Sequence, residues 1–263
     1  MQTCPICGAE SKECFSGTIM KKYQVKYYKC TQCGFLRTEQ PFWLEEAYAD
    51  TMNKEDTGLL KRNILHSEWV ATILYFCFKR DGIYLDYAGG YGTFTRLMRD
   101  IGFDFYWHDP FTNNLFARGF EYSLKKHKKI ELVTSFESFE HFADPISEIE
   151  KMFKIAPNIL FSTILLPSPE PKLDEWWYYG LDHGQHVSFY TQETCRHIAK
   201  RFNLNFYSFG EFHLFSAKPL NIKWIRYLLR INSWGLDRFV RAGMRSKTRS
   251  DYQLLCQEKE GRR

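Results

Sequence analysis

The sequence predicts a doubly wound α/β fold with a mostly parallel, seven-stranded sheet, preceded by a small cysteine-rich module. Three observations predict it. From Ile83 onward short apolar runs alternate with amphipathic stretches, a glycine-rich turn separates the first run from the first helix, and five of the eight cysteines fall at Cys4, Cys7, Cys14, Cys30 and Cys33. Strands that alternate with helices require βαβ crossovers, which make the sheet parallel and the connections right-handed. With 263 residues, 44% of them hydrophobic, the chain can bury one such core and still carry an appendage.

Residues 1–40 form the expected module. Cys4-Pro5-Ile6-Cys7 and Cys30-Thr31-Gln32-Cys33 are separated by 22 residues, and Gly8 and Gly34 follow them as turning residues. Tyr23, Val25 and Tyr27 alternate as in a strand leading into the second pair. Four thiolates at this spacing suit a closed, tetrahedral, structural zinc in a ribbon-like module, with Cys14 as an alternative ligand. Paired cysteines of this kind belong to a reducing compartment, and no stretch approaches the roughly 18 to 20 apolar residues of a membrane span. A cytoplasmic protein without a transmembrane segment is expected.

Residues 41–80 read as a helical linker or lid, with Leu59, Leu60, Ile64, Trp69, Val70, Ile73, Leu74 and Phe76 near helical spacing. The main domain then occupies 81–263. Its expected elements are strands at 83–87, 105–107, 132–136, 159–163 and 204–209, helices at 93–101, 146–155 and 191–201, and a last strand at 252–256. A helical insertion at 219–244 sets Ile222, Ile225, Leu228, Leu229, Trp234 and Phe239 among Lys223, Arg226, Arg230, Arg238 and Arg241. That insertion suits packing on the sheet, phosphate binding, or a membrane or partner face. The net charge of +5 permits a nucleic-acid partner without indicating one.

The turn after the first strand reads Asp86-Tyr87-Ala88-Gly89-Gly90-Tyr91-Gly92. Glycines let the backbone approach a ligand, and the following helix offers unpaired amides. The second strand ends in His108-Asp109-Pro110, with a carboxylate where Rossmann-like folds bind a ribose diol. Nicotinamide-binding proteins share this layout. The pattern Leu85-Asp86-x-x-x-Gly90-x-Gly92 with Asp109-Pro110 resembles the class I methyltransferases, and Glu137 to Pro145, Ile159 to Thr163 and His186 to Thr191 extend the likeness. That resemblance implies an S-adenosylmethionine site built from Asp86, Ala88, Gly89, Gly90, Gly92, Asp109 and Pro110, with Ala88 in place of the usual first glycine.

The strand ending near Phe136 is expected to deliver Glu137, Glu140 and His141 to the carboxyl ends of the strands, where ligands of open α/β sheets bind. Two carboxylates and an imidazole so close together call for compensation, which a divalent cation with O and N ligands supplies. Glu140 and His141 could equally cap the loop into the next helix. Glu-x-x-Glu-His with a later His resembles the metal-assisted O-methyltransferases of ubiquinone biosynthesis and of small-RNA 3′-end methylation. By that resemblance Glu137, Glu140, His141 and His186 would be ligands of a second divalent metal. The aromatic segment Trp176 to His186 adds Tyr179, His183 and His186 as candidate general bases.

Similar zinc modules precede sugar methyltransferases, a resemblance that favours a carbohydrate acceptor. The C-methylating members carry a further C-terminal domain with no counterpart here, which favours O-methylation. The expectation is methyl transfer to a hydroxyl of a sugar, glycan precursor or other small molecule. RNA methylation, with the zinc module and insertion gripping phosphates, is the alternative; a third reading is a non-catalytic zinc-dependent binding protein.

Overall fold

A computed structural model describes residues 2–49, 56–127 and 129–260. The chain opens with β1 (Gln2–Thr3), β2 (Glu10–Ile19), β3 (Tyr23–Cys30) and β4 (Leu36–Thr38), followed by α1 (Leu44–Ala47) and α2 (Leu59–Cys77). Then come β5 (Ile83–Tyr87), α3 (Thr93–Ile101), β6 (Asp104–His108), β7 (Ile130–Ser135), α4 (Pro145–Ile155), β8 (Asn158–Ser162), β9 (Ser188–Phe189) and α5 (Gln192–Arg201). The remainder is β10 (Asn205–Phe209), β11 (Phe212–Ser216), α6 (Ile222–Ile231), α7 (Asp237–Ala242) and α8 (Thr248–Glu260). Two compact units result, one of residues 1–54, 135–154 and 158–219, the other of 55–134, 155–157 and 220–263.

The first unit contains an antiparallel sheet in the order β1-β2-β3-β4-β9. Val25 and Tyr27 point inward from β3 while Gln24 and Lys26 stay exposed, the alternation a half-buried strand requires. This ribbon shares its core with later chain: Ile19, Val25, Tyr27, Leu36 and Trp43 cluster with Leu166, Tyr178, Tyr179, Val187 and Phe189. The same unit holds the antiparallel run β8-β11-β10, in which Gly210 at φ 72° turns the β10–β11 hairpin. Thr191 caps α5 through a reciprocal pair of bonds with Thr194, which fixes where that helix starts.

The second unit holds β6-β5-β7, all parallel, with α3 as the crossover between β5 and β6. β5 is buried from Tyr84 to Tyr87, as a central parallel strand must be. Its helix α2 buries Val70, Ala71, Ile73 and Leu74. The α/β class is therefore as expected, but among the described residues six strands, not seven, belong to the α/β sheet. The expected strand 252–256 lies inside α8, because Asp251 is buried in a two-pronged ion pair with Arg99 (2.8 Å each), and a helix brings it there. The strand β11 was not expected: all five of its residues are buried, so it shows no alternation to read. No described helix is long and apolar enough to cross a membrane.

Candidate functional site

In the second unit the penultimate residue of β5 is Asp86, which is buried. Its Oδ2 accepts from the Thr95 hydroxyl (2.9 Å) and its Oδ1 from the Thr134 hydroxyl (3.1 Å). Burial pushes its carboxyl up to about 7 against these two hydroxyls. Asp86 thus braces the turn from beneath. Ala88, Gly90 and Gly92 all adopt left-handed backbone, at φ 56°, 52° and 81°. A side chain at Gly89 would sit 2.7 Å from Asp86 Oδ2 and 2.8 Å from the Trp107 ring, whereas one at Gly90 would meet nothing within 4 Å.

Asp109 holds the same turn from the other side. Its Oδ2 accepts from Gly90 N–H (2.9 Å) and its Oδ1 from the N–H groups of Phe111 (2.8 Å) and Thr112 (3.1 Å). Three of about four lone-pair sites on the carboxylate are then used, leaving one on Oδ2 for a diol. Trp107 Nε1 and the Thr112 hydroxyl both donate to Gly90 O at 2.8 Å, and Pro110 follows Asp109 as an exposed residue. The helix α3 starts on Gly92 without a side-chain cap, and its first turn directly follows the turn whose Gly90 has open space beside it. The arrangement fits a nucleoside-bearing cofactor.

Ala88 at φ 56° and the crowding at Gly89 set opposite expectations. Ala88→Gly should raise the unfolding free energy by about 0.5–1 kcal/mol, because glycine relieves the left-handed strain. Gly89→Ala should lower it by about 1–3 kcal/mol through overpacking. Urea denaturation of both variants checks this, and a stable Gly89→Ala protein would contradict the geometry.

In the first unit a short 3-10 turn, Phe139–His141, follows β7. Glu140 is 1% exposed, and its Oε2 has no hydrogen-bond partner among the described residues. Burial and the neighbouring Glu137 push its carboxyl up to about 8. His141 Nδ1 donates to Gln185 O (3.1 Å) and His186 Nδ1 to Tyr178 O (2.6 Å). A carbonyl can only accept, so both rings carry their proton on Nδ1 and leave Nε2 bare. Burial draws His141 down to about 4 and His186 well below the usual histidine range, so both stay neutral. One ligand atom each from Glu140, His141 and His186 lies within 4.8 Å of the others. An orphaned buried carboxylate oxygen beside two carbonyl-anchored imidazoles is a donor set that fits a divalent cation.

Other expected site residues stand elsewhere. Glu137, at φ 48°, receives the Ser162 hydroxyl on Oε1 (2.5 Å) and gives its N–H to the same oxygen (2.9 Å), and it is not part of the three-residue cluster. Tyr179 donates its hydroxyl to Pro171 O (2.9 Å), and its ring packs on Phe15, Trp176 and Phe189. His183 lies with its ring 4.7 Å from that of His186, its Nδ1 accepting from Gln185 N–H. Gly180, at φ 63°, makes room for it, since a side chain there would come within 2.6 Å of His183 Nε2. Tyr178 supplies the carbonyl for His186, and its hydroxyl bonds Thr163 Oγ1 (3.0 Å) and Ile164 N–H (3.1 Å). Nothing in the run Trp176 to Tyr179 distinguishes it from its neighbours, although Thr163, polar at a strand end, was a readable signal.

The thiols of Cys4, Cys7, Cys30 and Cys33 also lie within 4.8 Å of one another, with Cys4–Cys33 at 3.7 Å and Cys7–Cys30 at 3.4 Å. Tetrahedral zinc with bonds of about 2.3 Å sets sulfurs about 3.8 Å apart, so the cluster fits that ion. Sharing of hydrogen bonds draws the Cys4 thiol down to about 5 and pushes Cys33 up. Cys14 is outside the cluster, exposed, with its thiol on Tyr27 O. The hydroxyls of Thr191 and Thr194 each donate to Cys33 O at 2.8 Å.

A methyltransferase-domain family matches residues 62–208. No curated protein matches the sequence. Among solved structures, the plantazolicin methyltransferase in complex with SAH is similar at 13% identity, over 78% of this chain and 91% of that one, with a TM-score of 0.50. An O-methyltransferase family protein from Burkholderia thailandensis is 14% identical over 68% of this chain and 65% of that one (TM-score 0.48). Magnesium protoporphyrin IX methyltransferase from Synechocystis PCC 6803 with bound SAH is 11% identical over 65% and 90% (TM-score 0.43). At these identities the likeness is one of fold.

Proposed function

We propose, from the premise that the chain belongs to the methyltransferase-domain family and is an S-adenosylmethionine-dependent methyltransferase, that its acceptor is a hydroxyl of a small molecule, a sugar or glycan precursor. In this reading Glu140, His141 and His186 hold a divalent cation for the acceptor, and the four N-terminal cysteines hold a structural zinc. The observation that carries it is the Glu140 carboxylate, fully buried with an oxygen that nothing among the described residues satisfies. Such an orphan costs about 1–3 kcal/mol or more, which a ligand repays. A cytoplasmic setting suits the reduced thiols.

Each group then has a task. The turn Ala88 to Gly92 and the start of α3 receive the cofactor, and the remaining lone pair of Asp109 takes its ribose diol. Transfer is displacement at the methyl carbon: the acceptor oxygen forms the new C–O bond, the C–S bond breaks, and SAH leaves. A divalent cation at the cluster would supply Lewis acidity that lowers the pKa of the acceptor hydroxyl. His183, whose Nδ1 already accepts from Gln185 N–H, carries its own proton on Nε2 when neutral, which argues against a role as the base.

Incubation with S-adenosylmethionine and a panel of nucleotide sugars, free sugars and single-stranded RNA, with SAH formation as readout, tests the reading. Turnover on a sugar hydroxyl that disappears on metal stripping and returns with added divalent cation is expected. Full activity after stripping sinks the metal assignment; turnover on RNA alone sinks the acceptor class.

A further inference from the structure

The segment between β11 and α8 presents a face that plays no part in methyl transfer as assigned above. Its helices α6 and α7 bury Ile225, Leu228 and Val240, and Trp224 and Phe239 lean edge-on against Phe76 and Tyr75 of α2. On the outer side Lys223, Tyr227, Arg230, Trp234, Arg238 and Arg241 recur at steps of three and four residues, and all are exposed. Within α6 Lys223, Tyr227 and Arg230 share one side of successive turns, as do Arg238 and Arg241 within α7, and Trp234 lies between the two helices. The chain bends immediately after Trp234, at Gly235 with φ 98°, which leaves the indole at the elbow, 86% exposed.

Charge and apolar surface coincide here. Residues 218–247 carry eight lysines and arginines against the single acid Asp237, more positive charge than the +5 of the whole chain. The ion pairs of this unit engage Arg62, Lys79, Arg96, Arg99 and Lys247. Among the described residues none engages Lys223, Arg230, Arg238 or Arg241. A complementary partner must therefore be anionic and must also accept an indole and a phenol beside its negative groups. The boundary between head groups and acyl chains of an anionic bilayer offers both, and aromatic rings interleaved with cations are its usual counterpart. Single-stranded nucleic acid binds aromatics in a charged groove, whereas Trp234 stands on an elbow between helices.

We propose that this face docks the protein peripherally on an anionic lipid surface, with the cations on lipid phosphates and Trp234 and Tyr227 in the interfacial layer. The proposal stands independently of the acceptor. Sedimentation of the full chain with vesicles of phosphatidylcholine alone, and of phosphatidylcholine with phosphatidylserine, tests it. Binding to the mixed vesicles only, weakening as salt rises, is the expected result. Arg230→Glu with Arg238→Glu and Arg241→Glu should weaken it by about a hundredfold, and Trp234→Ala by about tenfold. Unchanged S-adenosylmethionine binding by these variants shows that they fold. Failure to bind phosphatidylserine vesicles at low salt, equal binding to phosphatidylcholine alone, variants that bind like the parent, or tighter binding of single-stranded RNA at matched salt would each overturn it.

Discussion

Replacing Glu140 with Gln should lower methyl transfer by about a thousandfold while S-adenosylmethionine affinity changes by less than about twofold. The two effects separate because Glu140 lies in the first unit, and every side chain of the glycine turn and its braces belongs to the second. Gln has the size of Glu but no charge, so the cation would lose its anionic ligand with little change in packing. The same substitution should make the metal-free protein more stable, since a carboxyl that burial raises to about 8 must take up a proton on folding at neutral pH, a cost that the uncharged Gln does not carry. Loss of activity together with gain of stability distinguishes a ligand from a capping residue, whose removal costs stability. Metal analysis completes the test: bound divalent ion should fall in Glu140→Gln and in His141→Ala with His186→Ala. Parent-like turnover with unchanged metal content would falsify the assignment.

Cys30→Ser with Cys33→Ser, or zinc chelation, should unfold the N-terminal ribbon and abolish transfer while leaving cofactor binding in place. Structural zinc contributes roughly 10–16 kcal/mol of apparent binding free energy to folding. The loss should then spread along a defined path. Cys33 O accepts the hydroxyls of Thr191 and Thr194, β4 pairs with β9, Thr38 N–H donates to Val187 O (3.0 Å), and Val187 N–H donates to Glu140 O (2.8 Å). These bonds tie the ribbon to both segments of the His186 and Glu140 cluster. Hydrogen exchange should show lost protection at 10–38 and 186–194 and retained protection at 83–108. Undisturbed protection at β9 would show that the ribbon is only an appendage.

The local elements were legible because each rests on a short-range pattern. Ile83–Tyr87 reads as a strand from its apolar run, Thr93–Ile101 as a helix from the glycines before it, and both cysteine pairs from their spacing. The glycine turn was legible down to its one irregular position, where Ala88 takes the left-handed conformation that glycine would hold more cheaply.

Spacing could not say which members of Glu137, Glu140, His141, Tyr179, His183 and His186 converge. The left-handed backbone at Glu137 turns that carboxylate onto Ser162, and burial in the aromatic cluster sends the Tyr179 hydroxyl to Pro171, so the three-way convergence falls to Glu140, His141 and His186. The helix α8 in place of a strand and β9 as the last strand of the ribbon follow the same logic. One depends on a buried partner for Asp251, the other on an edge left free by β4. The sequence by itself determined the elements from Ile83 to Ile101, the glycine turn between them and the thiol set, since these depend on periodicity and on residues close along the chain. The tertiary structure alone decided which polar atoms meet, because side-chain direction depends on backbone angles and on partners some forty to a hundred and fifty residues away.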